Sequence, residues 1–483
     1  MRTLQSLAHK KWRTCRAWCS VAAVSDVRLQ RKIGLGGSVF LLVGNIVGAS
    51  IFILPGQLTE IAGPAVFLAY LLAAVPAVCY ALIAAQIGSI LPVSAADYVF
   101  TSIALHPSIG FIKIWATILG AMVGTPILAY GFANYMAYFL PNIDKVVIAV
   151  GIVLLVMVIN LIGIRTSVRA QVAMVIFFIS CLLVFGIGGV FYIEIENLKP
   201  LMPMGWGSVL AAAVPAYFSY TGFTMLLSYT EEIKNPARNV PLTILFTFII
   251  VGVTYTLITI VVPGLIPWRE LAMLAAPVSA ASATFLPQWF STAISVSALL
   301  AAGTSINVLF ITVSRSCFGV SRSGVFPEIL SHVSRRSGEP TAAVWLVAAI
   351  TIVGVAFQGT IVQYASITVI GWMLYGIIYG AALVRMPKVL PEHYRNARFR
   401  LQPPVLYLVA TGTIGFGLVF IFVAVRDNLL PAVIYLGLVA SGGVYYALRK
   451  RYLDNAGVEL ADLLSREKEE AARATWRQQG EGL

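Results

Sequence analysis

Long apolar runs separated by short polar connections set the pattern of this chain. Runs of about 20 residues, each long enough to cross ~30 Å of hydrocarbon as a helix, fall at residues 34–55, 64–88, 110–139, 145–163, 170–192, 208–230, 240–262, 288–313, 341–357, 362–384, 404–425 and 430–448. The pattern predicts an all-α polytopic membrane protein with 12 transmembrane helices and both termini on one side. The run at 341–357 is the shortest.

Two of these runs are interrupted. In the first, Val43 to Pro55 reads VGNIVGASIFILP, and Gly44 and Gly48 with Ala49 and Ser50 weaken a helix near mid-depth. A helix broken there frees backbone N–H and C=O groups, which hydrocarbon tolerates only where they line a protein-enclosed cavity. The competing reading is a packing face, since Gly44 and Gly48 also form a G-x-x-x-G pair. The sixth run tips the choice, because Pro215, Ser219, Tyr220, Thr221 and Gly222 interrupt it in turn. Interrupted segments at corresponding places in two halves point to a transporter site between inverted repeats. The halves are residues 34–192 and 208–385, five spans each, with two spans appended over 404–448. Residue-by-residue identity between the halves is lacking, so the symmetry is read from the breaks and the number of spans.

Composition agrees with a membrane protein: 59% of residues are hydrophobic and 11% charged, about half the charged share of a soluble domain. Of the 33 Lys and Arg, 29 fall on one side, in the N-terminal tail, the even-numbered connections, the inner end of the third span at Lys113 and the C-terminal tail. The other side holds Lys145, Lys199, Arg269 and Arg426. The positive-inside rule then places the tails, 1–33 and 449–483, in the cytoplasm of a plasma-membrane protein. Orientation and anionic lipid thus account for the net charge of +13, and no nucleic-acid partner is expected. In the N-terminal tail, Val21 to Val24 is too short for the apolar core of a signal peptide. The tail, with Trp12 and Trp18, reads as a segment lying on the cytoplasmic surface. Cys15 and Cys19 lack partners for zinc, and Cys79, Cys181 and Cys317 lie in or beside spans, so no disulfide is expected. Leu91 to Gly110 reads as an amphipathic inner-surface connection.

VGNIVGASIF in the first span resembles the unwound-helix motif of the amino acid-polyamine-organocation permeases, and PVSAADY from Pro92 is similar to their P-x-S-G-G-x-Y. FSYTGFTMLLSYTEEIKNPARNVP, Phe218 to Pro241, resembles their G-F segment followed by E-E-x-x-N-P-x-R-x-x-P. SRSCFGVSRSGVFP, Ser314 to Pro327, resembles S-R-x-x-x-x-x-x-R-D-G-x-x-P. The resemblance spans roughly residues 30–450 and implies the leucine-transporter fold with a 5+5 inverted repeat. Departures are Ala95 and Ala96 for two glycines, Ser323 for an acid, and Ala49 where Ser is common.

A zwitterion brought to mid-membrane must exchange hydration for fixed dipoles of both signs. A half-helix starting near Ala49 offers N–H groups and a positive dipole end to the carboxylate, with the Ser50 hydroxyl beside them. The resemblance gives the ammonium to carbonyls near Ile46, Phe218 and Thr221. The substrate site is therefore expected at Ile46, Gly48, Ala49, Ser50, Ile51, Phe218, Ser219, Thr221 and Gly222, with Phe218 as a lid or as a packing aromatic. Glu231 and Glu232 are an inner gate or a solvated charge cluster. No span interior holds an acid or a base, so a neutral amino acid is the expected substrate.

The fifth span also lacks the lysine that proton-coupled relatives can carry. Ala301, Thr304 and Ser305 share one face of the eighth span, at i, i+3 and i+4. With carbonyls of Gly44 and Val47 they resemble the sodium site of sodium-coupled leucine-transporter-fold proteins, while Ile51 stands where a second sodium site would need asparagine. The other reading has Thr304 and Ser305 bonding back to their own helix. Symport of one sodium ion with one neutral amino acid is expected, with proton coupling or obligatory exchange as rivals and no other cofactor. A membrane-embedded transferase is disfavoured because His9, His106, His332 and His393 are scattered over tails and loops. A channel or a transporter-like receptor would share these features, and measured flux separates them.

Overall fold

The computed structural model describes residues 33–455 apart from 91–95, 164–167, 224–225, 227–232, 323, 335–336, 358 and 398. Glu231 and Glu232, both tails beyond that range, and the first residues of the PVSAADY motif lie outside the described residues. The described residues are helical, with one isolated parallel bridge, Ile33 to Ile233.

The first run splits, as its glycines suggest, into α1 (Leu35–Ile46) and α2 (Ser50–Gln57). After them come α3 (Val66–Ile90), the short α4 (Ala96–Ala104), α5 (Pro107–Met136), α6 (Lys145–Ile162) and α7 (Val168–Gly189). The sixth run gives α8 (Gly205–Tyr217), which tightens into a 3-10 turn over Phe218–Tyr220. The chain continues through α9 (Pro236–Leu265), α10 (Gln288–Arg322), α11 (Thr341–Ala356), α12 (Ile361–Val389), α13 (Pro403–Asp427) and α14 (Leu429–Asn455). Among the described residues, 9 helical stretches are long and apolar enough to span a membrane, one of them running from Ser50 to Ile87. The expected runs outside that set are the two interrupted ones and the 16-residue α11. α5, α10 and α14 outrun the expected spans because Pro107 starts α5 earlier and polar residues carry α10 and α14 past their apolar stretches.

Many of the contacts among the first ten spans come in matched pairs. α1 lies on α9 and α7, and α8 lies on α3 and α12. α5 packs on α12 as α10 packs on α7, and α6 meets α10 as α11 meets α5. The pairs α3 with α9, α5 with α10 and α6 with α11 are each their own counterpart, whereas α1 also lies on α10, a contact that α8 and α5 do not match. Exchanging each of the first five spans for the one five places later maps each of the matched contacts onto another or onto itself. α13 covers α12 and α3 from outside, and α14 lies against α5.

Candidate functional site

The two breaks meet in the middle of the bundle. Val47 caps α1 with φ −78° and ψ 85°, which turns the chain out of the helical ladder. The Gly48 amide then bonds the Ile46 carbonyl at 2.9 Å instead of reaching back four residues. The carbonyls of Gly44, Asn45 and Val47 consequently have no backbone donor among the described residues, nor do the amides of Ala49, Ser50 and Ile51 find a backbone acceptor. Ala49, the N-cap of α2, supplies no side-chain cap. All of these residues are buried, so what the break frees is kept from water.

In the sixth run the chain leaves the 3-10 turn at Thr221, with ψ 149°, and passes through Gly222 at φ +127°. That φ belongs to glycine, since a Cβ is strained there. Space argues the same way, because a Cβ on Gly222 would stand 3.1 Å from the Asn45 carbonyl and from Ile46 Cγ1. The Phe218 carbonyl accepts from the Thr221 hydroxyl at 2.6 Å and from its amide at 3.3 Å. Ile46 and Phe218, expected as ammonium acceptors, are thus outside the ladder yet hydrogen-bonded within the protein. The Phe218 ring stacks on Trp372 of α12, centroids 5.6 Å apart.

Of the expected cation ligands on α10, Ser305 lies against the first break at Gly48. A Cβ there would meet the Ser305 hydroxyl at 2.6 Å and Leu128 at 3.7 Å, so α10 faces the first break directly. Ser305 Oγ is buried with no hydrogen-bond partner among the described residues. Thr304 bonds back to the Leu300 carbonyl at 2.8 Å and the Ala301 carbonyl at 3.0 Å, which spends its proton and leaves oxygen lone pairs. A Cβ on Gly44 would overlap Val175, so α7 presses an aliphatic side chain against α1 at that level.

Sequence reasoning missed two sets of residues. One is a stripe on α5: Gly124 faces Phe218 and Thr368, and Gly131 faces Ala49 and Ile53. Gly120 and Gly124 form a G-x-x-x-G pair, which was the available signal. The other is Tyr255 of α9, whose hydroxyl lies 3.2 Å from the Ile46 carbonyl and 2.9 Å from the Ser219 carbonyl. Glu231 and Glu232, expected at a gate, lie outside the described residues.

The branched-chain amino acid permease BcaP of Bacillus subtilis is 28% identical over 400 residues, covering 77% of this chain and 84% of that protein. Asc-type amino acid transporter 1 of Mus musculus is 28% identical over 431 residues, covering 83% and 78%. The vacuolar cationic amino acid transporter 4 of Arabidopsis thaliana is 28% identical over 375 residues, covering 72% and 62%. The amino acid permease family profile matches residues 33–442 and so includes both breaks; this chain belongs to the amino acid permease family.

Proposed function

We propose that this protein carries a neutral amino acid across the plasma membrane by alternating access around its two breaks, with one sodium ion moving alongside. The observation that carries the reading is the abutment of Gly222 on Asn45 and Ile46, which puts freed carbonyls and freed amides in one buried place. Such a place can receive both ends of a zwitterion. The carboxylate faces the amides at the start of α2 and the Ser50 hydroxyl, favoured by the helix dipole. The ammonium takes carbonyls at Ile46, Phe218 and Thr221. The matched contacts among the first ten spans support a 5+5 inverted repeat with two spans appended, the frame that allows one part to rock against the other.

The relatives' names include a branched-chain amino acid permease and cationic amino acid transporters. Side-chain charge favours a neutral substrate. Among the described residues Lys113 is the only charged side chain that is buried, and no carboxylate is. A cationic substrate side chain would want one. For sodium, the carbonyls of Gly44, Val47 and Ala301 with the hydroxyls of Thr304 and Ser305 form a set of neutral oxygens of the kind a hard cation takes. The rival, proton coupling, needs a titratable group near the breaks. Lys113 is packed against the rings of Tyr375 and Tyr379, 4.1 Å from each centroid. It stands about 16 Å along α5 from Gly124, at 1.5 Å per residue.

Uptake into proteoliposomes, with unlabelled competitors, tests the substrate. Alanine, leucine and serine are expected to compete; if arginine or putrescine competes better than all three, the neutral reading is wrong.

A further inference from the structure

Tyr435 of α14 reaches from an appended span into the bundle. Its side chain is buried, and its hydroxyl donates to the Ala116 carbonyl of α5 at 2.8 Å. Two glycines open the way. A Cβ on Gly371 of α12 would overlap that hydroxyl and stand 3.0 Å from ring Cζ, and one on Gly120 of α5 would stand 3.4 Å from the hydroxyl. A second bond nearby fixes the register of α14. The Trp115 indole N–H donates to the Leu438 carbonyl at 2.9 Å, with Gly442 lying against the indole. The phenol thus ends as a wedge between α5 and α12. The same Cβ position on Gly120 is 3.7 Å from Nε1 of Trp372, so the hydroxyl and the indole edge flank one glycine. One turn further along α5, about 6 Å, Gly124 faces Phe218, which stacks on Trp372.

We infer that Tyr435 is a positioning residue that limits the size of the substrate side chain, acting from behind Trp372 without touching the substrate. The inference rests on the reading of the two breaks as the amino acid site. With the phenol in place the indole edge is backed at Gly120, and Trp372 with Phe218 forms a fixed wall. Shortening the side chain at 435 leaves a cavity that the surrounding structure refills only in part. Trp372 is half-buried and adjoins that cavity, so it is the large group with freedom to withdraw toward it. Room gained behind the indole is room for substrate carbons in front of it. The sign of the effect follows, because larger side chains gain more from such room than small ones.

The test measures uptake of labelled L-leucine and L-alanine into proteoliposomes holding the full-length protein, read as the ratio of their kcat/KM values. For Tyr435→Leu the leucine-to-alanine ratio is expected to rise about threefold to tenfold, carried by a lower KM for leucine. Adding Gly120→Ala returns a methyl group to the vacated space, 3.7 Å from Trp372 Nε1, and should bring the ratio back down. A merely structural role would slow both amino acids alike and leave the ratio where it was. An unchanged or lower ratio in Tyr435→Leu overturns the inference, as does a raised ratio that Gly120→Ala fails to reduce. If Tyr435→Leu does not fold, Tyr435→Phe decides alone, since it keeps the ring and loses only the hydroxyl. The ratio should then rise about twofold, and an unchanged or lower ratio overturns the inference. If the unaltered protein takes up neither leucine nor alanine, the amino acid reading itself fails and takes this inference with it.

Discussion

At Gly48 and Gly222 the geometry leaves no room for a methyl group, and each makes a testable demand. Gly222→Ala must hold a side chain at φ +127° with its Cβ 3.1 Å from the Asn45 carbonyl. Backbone strain of that kind costs about 1–3 kcal/mol and falls where the breaks touch, so uptake should drop by about tenfold or more in protein that still reaches the membrane. Gly48→Ala drives its Cβ into the Ser305 hydroxyl. Overpacking costs about 1–3 kcal/mol, which a lowered melting temperature would register. Adding Ser305→Ala removes the closest atom and leaves one contact of 3.3 Å, so stability should return while dependence on sodium does not. A double variant that regains both would exclude Ser305 as a cation ligand. These glycines were legible in the sequence because a small residue in an apolar run is a local signal. Tyr255 was not, since its two acceptors lie 209 and 36 residues away and nothing local marks a tyrosine as bonding backbone rather than packing. The same blindness left the Ile46 and Phe218 carbonyls looking open, where the fold gives them Tyr255 and Thr221 as donors.

Among elements, α5 contributes most that the sequence left unread. Its glycines let α2, α12 and the 3-10 turn after α8 approach closely, and Gly124 brings Phe218 of that turn and Thr368 of α12 to 3.1 and 3.2 Å from its Cβ position. The reason for the omission is physical. A soluble helix announces its inner face by polarity, but a helix that is apolar all round does not distinguish protein from lipid. The breaks escaped this limit because backbone irregularity is expensive in hydrocarbon whichever way it faces. Gly124→Ala narrows the space beside the Phe218 and Trp372 stack. Leucine uptake should fall about tenfold or more relative to alanine uptake, the scale on which a pocket separates substrates differing by methylene groups. Equal losses for both would place Gly124 outside the side-chain pocket.

On the scale of the whole molecule, the hydrophobic pattern foretold a helical membrane protein, and the described residues form one. Each break shortens its helices, so the first run is split, its second part joining the stretch from Ser50 to Ile87, and the sixth falls outside the 9 long apolar stretches among the described residues. The 29 to 4 division of Lys and Arg predicts that both tails face the cytoplasm. Cysteines placed at Asn142 and Asn197 should react with an impermeant reagent added outside intact cells, and one at Ser331 should not; the reverse would invert the topology. The coupled-transport account as a whole is tested most directly by uptake of labelled leucine into proteoliposomes at fixed pH, with an inward sodium gradient or with choline in its place. Uptake should collapse in choline, and Thr304→Ala combined with Ser305→Ala should abolish the difference between the two cations. Uptake that persists undiminished in choline and follows an imposed pH gradient would contradict it.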